Sequence, residues 1–117
     1  MSKQVETSER AKQDYLKTRY YKTNILLIME YVKKYFHDNN IKIISYDTNY
    51  NEISVEAEFY NMTVRFVQVG PQEAAVDVFV DSNFLFDFNK TKKLINDFYE
   101  MIGKNFELKG LALHKEN

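Results

Sequence analysis

The sequence predicts an α+β domain: a long N-terminal helix, a four-stranded antiparallel β-meander, and a C-terminal helix packed on one face of the sheet. Three observations predict it. In Glu52-Ile53-Ser54-Val55-Glu56-Ala57-Glu58-Phe59 the even positions are polar and the odd ones apolar, the period of a strand with one buried face. Two more such runs follow, Met62–Val69 and Ala74–Asp81. Ahead of them Ile25, Ile28, Met29, Val32, Tyr35 and Phe36 recur at helical spacing, with Glu30, Lys33 and Lys34 on the other side.

Taken in order, residues 1–22 are polar, with Ala11, Tyr15 and Leu16 as the spaced apolar positions before Tyr20. Thr7 or Ser8 can cap a helix starting at Glu9, and its thin stripe implies that residues 1–20 fray or dock on a partner. In the helix that follows, Leu26, Leu27 and Tyr31 widen the apolar stripe beyond what one sheet face covers. Asp38-Asn39-Asn40 stops it, since Asn accepts the left-handed conformation that closes helix ends.

Ile41–Tyr46 reads as the first strand and Asp47–Asn51 as its loop. Tyr60-Asn61 reads as a two-residue hairpin that sets Phe59 opposite Met62, Ala57 opposite Val64 and Val55 opposite Phe66. A three-residue loop, Gly70-Pro71-Gln72, sets Phe66 against Val76 and Val64 against Val78. On the outer face this register writes a rung Lys42–Glu56–Arg65–Asp77 of alternating sign. Phe84–Phe88 is a short apolar segment. Asp87 or Asn89 then caps the last helix, with Leu94, Ile95, Phe98, Met101, Ile102 and Phe106 as its stripe. Leu108–Leu113 reads as a short strand or ordered tail, and His114–Asn117 as a frayed end. The order helix, meander, helix resembles in topology the small dimeric type III secretion chaperones and the YbjN-like bacterial proteins.

A chain of 117 residues is one domain, 1–117, large enough to fold without a metal or disulfide. The absence of cysteine excludes a thiolate nucleophile and a Cys-type zinc site. No run approaches the ~18 apolar residues of a membrane span, so a cytoplasmic protein without membrane contact is expected. The bias toward Lys, Asn, Ile, Tyr and Phe suits a low-G+C bacterial or phage genome. Charge is uneven along the chain. Residues 1–45 carry nine Lys/Arg against five Asp/Glu, residues 46–88 carry Arg65 against eight acids, and residues 89–117 carry six against four. The sheet is therefore acidic and the helices mildly basic.

No catalytic, cofactor-binding or metal-binding constellation is legible. His37 and His114 are the only imidazoles, and His37 suits the negative end of its helix. Glu56, Glu58 and Asp77 can share a sheet face, but Lys42 and Arg65 fall between them, as expected of solvated charges. Gly70, Gly103 and Gly110 make no phosphate cradle. Lys12, Lys17, Arg19 and Lys22, and Lys90, Lys92 and Lys93 in the first turn of the last helix, are basic clusters. The second runs against the helix dipole and could meet an anionic surface. A pI near 6.1 argues against direct nucleic-acid binding.

The functional cue is aromatic content: 9 Tyr and 9 Phe exceed what one small core absorbs, so some should form an association surface. Tyr15, Tyr20, Tyr21, Phe79, Phe84, Phe86 and Phe88 are the candidate interface. The expectation is a non-enzymatic binding or regulatory protein that acts on a protein partner or on itself as a homodimer. The alternative is an inhibitor from a phage or mobile element. Its acidic residues Glu52, Glu58, Glu73 and Asp81 would occupy a basic, nucleic-acid-binding surface of a host protein. Whether a small molecule binds is not legible in the sequence.

Overall fold

Glu73–Ser82, strand β6, lies at the centre of a sheet larger than four strands, and both of its edges are paired. The computed structural model describes residues 3–83 and 88–111, with Lys3 and Phe88 as backbone only. In chain order the strands are β1 (Lys3–Glu6), β2 (Arg19–Tyr21), β3 (Lys42–Asp47), β4 (Glu52–Glu56), β5 (Tyr60–Gly70), β6 and β7 (Leu108–Leu111). The helices are α1 (Ile25–Asp38) and α2 (Phe88–Gly103). Among the described residues the sheet is seven-stranded, in the order β3-β4-β5-β6-β2-β7, with β1 also on β6. Every pairing between these strands is antiparallel.

The predicted long N-terminal helix is thus corrected, and the four-stranded meander with it. Residues 3–21 give the free edge of β6 its hydrogen-bonding partner. Val5 faces Val80 through β1, and Tyr20 faces Ala75 through β2. Both run the same way along β6, as one edge strand interrupted at residues 8–18. The excursion closes on itself: Ser8 N–H donates to Leu16 O at 2.9 Å and Thr18 N–H to Ser8 O at 3.1 Å. A β6 edge left bare would carry a row of unpaired backbone groups. That demand outweighs the local helical preference of residues 9–17.

The β5–β6 register agrees with the alternation, with Phe66 opposite Val76 and Val64 opposite Val78. The turn is tighter than a three-residue loop: Pro71-Gln72 connects the strands, and the pairing shifts between Gln68 and Gly70. The β4–β5 register is corrected by four residues. Val55 faces Met62 and Ile53 faces Val64, with Ala57–Phe59 as the loop. An even shift keeps every side chain on its face. It nevertheless splits the expected charged rung into two rows, Lys42–Glu56–Asn61–Asp81 and Asp47–Glu52–Arg65–Asp77.

Both helices cover one face of the sheet. Ile28, Met29, Val32 and Phe36 of α1 and Ile95, Phe98, Tyr99 and Ile102 of α2 are buried in one cluster with Ile53, Val55, Met62, Val64, Phe66, Val76, Val78 and Val80. The helices meet where Phe36 stacks on Phe98, ring centroids 5.9 Å apart. Burying such side chains contributes about 1.5–3 kcal/mol each. Asn24 caps α1, its Oδ1 accepting from Leu27 N–H at 3.0 Å. Asn40, with φ 56°, takes the left-handed turn beyond its end. No helix of the described residues is long and apolar enough to cross a membrane.

Candidate functional site

The edge interruption places three polar side chains together. Thr7 and Thr18, both buried, donate their hydroxyls to Oδ1 of Asp77 at 2.7 and 2.6 Å. Thr7 Oγ1 in turn accepts from Val78 N–H at 2.8 Å. Beside them the Tyr99 hydroxyl donates to Val76 O at 2.9 Å. Burial pushes the Tyr99 phenol far up, so it is neutral at any ordinary pH. Asp77 therefore anchors the excursion to the sheet through Oδ1, which accepts from both hydroxyls.

The seven interface candidates do not form one patch. Tyr21 is fully buried, its phenol pushed up by burial with partial offset from the Arg19 guanidinium. Tyr20 is half-buried and donates to Glu9 Oε2 at 2.6 Å. Tyr15 is half-buried under the Lys92 ammonium, 5.2 Å from its ring centroid. Phe79 is half-buried on the face away from the helices, opposite Thr63. Phe84 and Phe86 lie outside the described residues, and the side chain of Phe88 is likewise not described.

The acidic candidates divide as well. Glu52 accepts from Arg65 Nε at 2.7 Å, and Glu73 is buried at the start of β6. Glu58 and Asp81 line one open cleft of about 580 Å³ with Glu56 and Lys42. His37 is exposed at the end of α1, 3.6 Å from Asp38. The Lys34 ammonium, bonded at 2.6 Å, holds the Asp38 carboxyl below its usual range.

A different region gathers most of the exposed apolar side chains. Of eight large ones among the described residues, Leu26, Leu27, Tyr50, Val67, Val69 and Leu108 belong to one end of the sheet. Hydrogen bonds fix that placement. Gln68 Oε1 accepts from Ile25 N–H at 2.9 Å, and its Nε2 donates to Gly70 O and Glu73 O, tying the start of α1 to the β5–β6 turn. Phe66 N–H donates to Asn51 O at 2.9 Å, which brings the turn bearing Tyr50 alongside. Leu108 pairs with Tyr21, itself opposite Ala74 and hence Gln68. Leu26 is 74% exposed, Leu27 59% and Tyr50 74%. The over-wide apolar stripe of α1 was the visible signal for Leu26 and Leu27. Val67, Val69 and Leu108 carry none, because only the long-range pairing brings them here.

Neither a protein-family model, nor a curated protein, nor a solved structure matches the chain. The functional reading therefore rests on this geometry alone.

Proposed function

We propose that the protein is a non-enzymatic binding module that acts through protein–protein contacts at the apolar end of its sheet, with a second copy of the chain as its first partner. The observation that carries this is the gathering of six of the eight exposed large apolar side chains at that end. Exposed apolar side chains concentrated at one end mark association sites, and here they flank the sheet: Leu26 and Leu27 on the helix side, Val67 on the face away from the helices, opposite Ala75. The charges nearby are of both signs: Lys22 is exposed, Glu30 lies 3.7 Å from Lys33, and Glu52 is paired with Arg65. Two such surfaces can meet without net repulsion. The test is solution mass by light scattering across a concentration series. The parent should weigh as two chains, and Leu26→Asp with Leu27→Asp should weigh as one while keeping the parent's far-UV spectrum. A parent that stays at the mass of one chain at all concentrations overturns self-association.

A second reading draws on the cleft lined by Glu56, Glu58 and Asp81, in which Lys42 is the one cation among the lining residues. Such a surface suits a basic patch on another protein, including one that binds nucleic acid. Its binding would fall steeply with salt. Glu58→Lys with Asp81→Lys would abolish it, whereas salt-insensitive capture would overturn it.

A further inference from the structure

We propose that the cleft between the 8–18 excursion and α2 binds a phosphate group, with Arg19 and Lys92 as its cationic ligands. The cleft has a volume of about 480 Å³ and is lined by Gln13, Asp14, Tyr15, Arg19, Asn89, Lys92 and Asn96. Asn89, Lys92 and Asn96 recur at helical spacing on one face of α2, and Arg19 reaches in from β2. Two cations and three side-chain amides thus converge on one concave space.

The Arg19 guanidinium is held in place yet poorly satisfied. It lies 4.5 Å over the Tyr99 ring, and its side chain is only 12% exposed. Its terminal nitrogens reach Asn96 Oδ1 at 3.5 Å and Glu100 Oε2 at 3.7 Å, both long for a hydrogen bond to a guanidinium, and the Tyr21 phenol, a neutral group, is its further hydrogen-bond partner. Its buried Nε has no acceptor. Glu100 is 68% exposed and free to yield to a closer anion. Lys92 has no carboxylate partner among the described residues and rests on the Tyr15 ring. The one carboxylate in the lining, Asp14, is bound to Lys17 at 3.1 Å.

The helix adds to this field. α2 has no acidic residue in its first turn, and Lys92 stands near the positive end of its dipole, where a negative ligand is favoured. An Arg fork, an ammonium and three amides offer more donors than the two oxygens of a carboxylate accept, and they match a phosphate dianion. The volume beyond the anion admits the organic part of a small phosphomonoester.

The test is a titration of the ¹⁵N-labelled protein at constant ionic strength, with inorganic phosphate, glycerol 3-phosphate, a nucleoside monophosphate and a short single-stranded oligonucleotide as probes. The side-chain amides of Asn89 and Asn96 and the Arg19 Nε–H should shift saturably with phosphate. Lys92→Met, an exposed position, should weaken binding about tenfold with an unchanged far-UV spectrum. Arg19→Lys should weaken it at least as much, since a point charge does not replace the fork. If Arg19→Lys fails to fold, the Lys92→Met result decides. Tighter binding of a phosphomonoester than of phosphate assigns an organic ligand, and equal binding assigns the free anion; both support the site. No saturable shift up to about 20 mM phosphate overturns it. So does parent-like binding by Lys92→Met, or binding of the oligonucleotide alone.

Discussion

Thr7 and Thr18, from opposite ends of the edge-strand excursion, donate to the same oxygen of Asp77. One carboxylate thereby closes a loop and fixes two strands to β6. Asp77→Ala leaves two buried hydroxyls without their acceptor, and each such loss costs about 1–3 kcal/mol. Urea unfolding should show Asp77→Ala less stable by about 2–4 kcal/mol. Asp77→Asn keeps an Oδ1 acceptor and should lose only about 1 kcal/mol. Equal losses for the two variants would mean that charge, not acceptance, matters at this position.

The tyrosines set an alkaline limit. Burial, and then the bond to Glu30, push Tyr46 up to about 12, and burial raises Tyr20, Tyr21 and Tyr99 further. A group whose pKa is higher folded than unfolded contributes stability that is complete below the unfolded value, near 10. As pH climbs past that value the unfolded chain releases its protons first. Stability should therefore hold level to about pH 9.5 and fall as pH rises toward and beyond 12. Absorbance at the phenolate band and far-UV ellipticity should move together over that range. Full phenolate absorbance with retained ellipticity would contradict the buried positions of the Tyr21 and Tyr99 rings.

Alternation made the β5–β6 register legible, because only a short turn lets Phe66 meet Val76 and Val64 meet Val78. The β4–β5 register was not legible, since sliding by four residues leaves Ile53, Val55, Met62 and Val64 all facing inward. Turn chemistry offers little help there: Ala57, Glu58 and Phe59 are not turn-forming residues. The N-terminal strands escape detection for a simpler reason. β1 has four residues and β2 three, too few for a period to show, while the segment between them looks helical. The aromatic surplus is partly absorbed by the core, where Tyr21 and Tyr99 are fully buried. Of the exposed apolar side chains at the end of the sheet, Leu26 and Leu27 were legible from the over-wide stripe of one helix.

Asn40 and Asn51 carry positive φ, 56° and 55°, a region costly for residues with a full side chain and free of strain for glycine. Asn40→Gly and Asn51→Gly should change stability by less than about 1 kcal/mol. Asn40→Val and Asn51→Val should each cost about 1–2 kcal/mol. Thermal or urea unfolding reads both pairs. Indifference to valine at either site would mean that the turn relaxes to another conformation.

The β4–β5 pairing is open to a direct test because the chain has no cysteine of its own. Glu52 and Arg65 are direct partners, and antiparallel partners hold their Cα atoms about 4.5–5.5 Å apart, within disulfide reach. Glu56, the neighbour of Arg65 in the charged rung expected from alternation, stands four residues farther along β4, about 13 Å away. Glu52→Cys with Arg65→Cys should therefore oxidise within one chain, shown by faster migration on non-reducing gels and loss of free thiol. Glu56→Cys with Arg65→Cys should keep its thiols or link separate chains. Replacing the native pair costs little in itself: Arg65 is 64% exposed, and exposed pairs contribute at most about 1 kcal/mol. Both double variants thus remain folded, and the pattern of cross-links reports register alone. The reverse pattern would restore the longer pairing, with Ala57 opposite Val64, and would move Arg65 from Glu52 to Glu56.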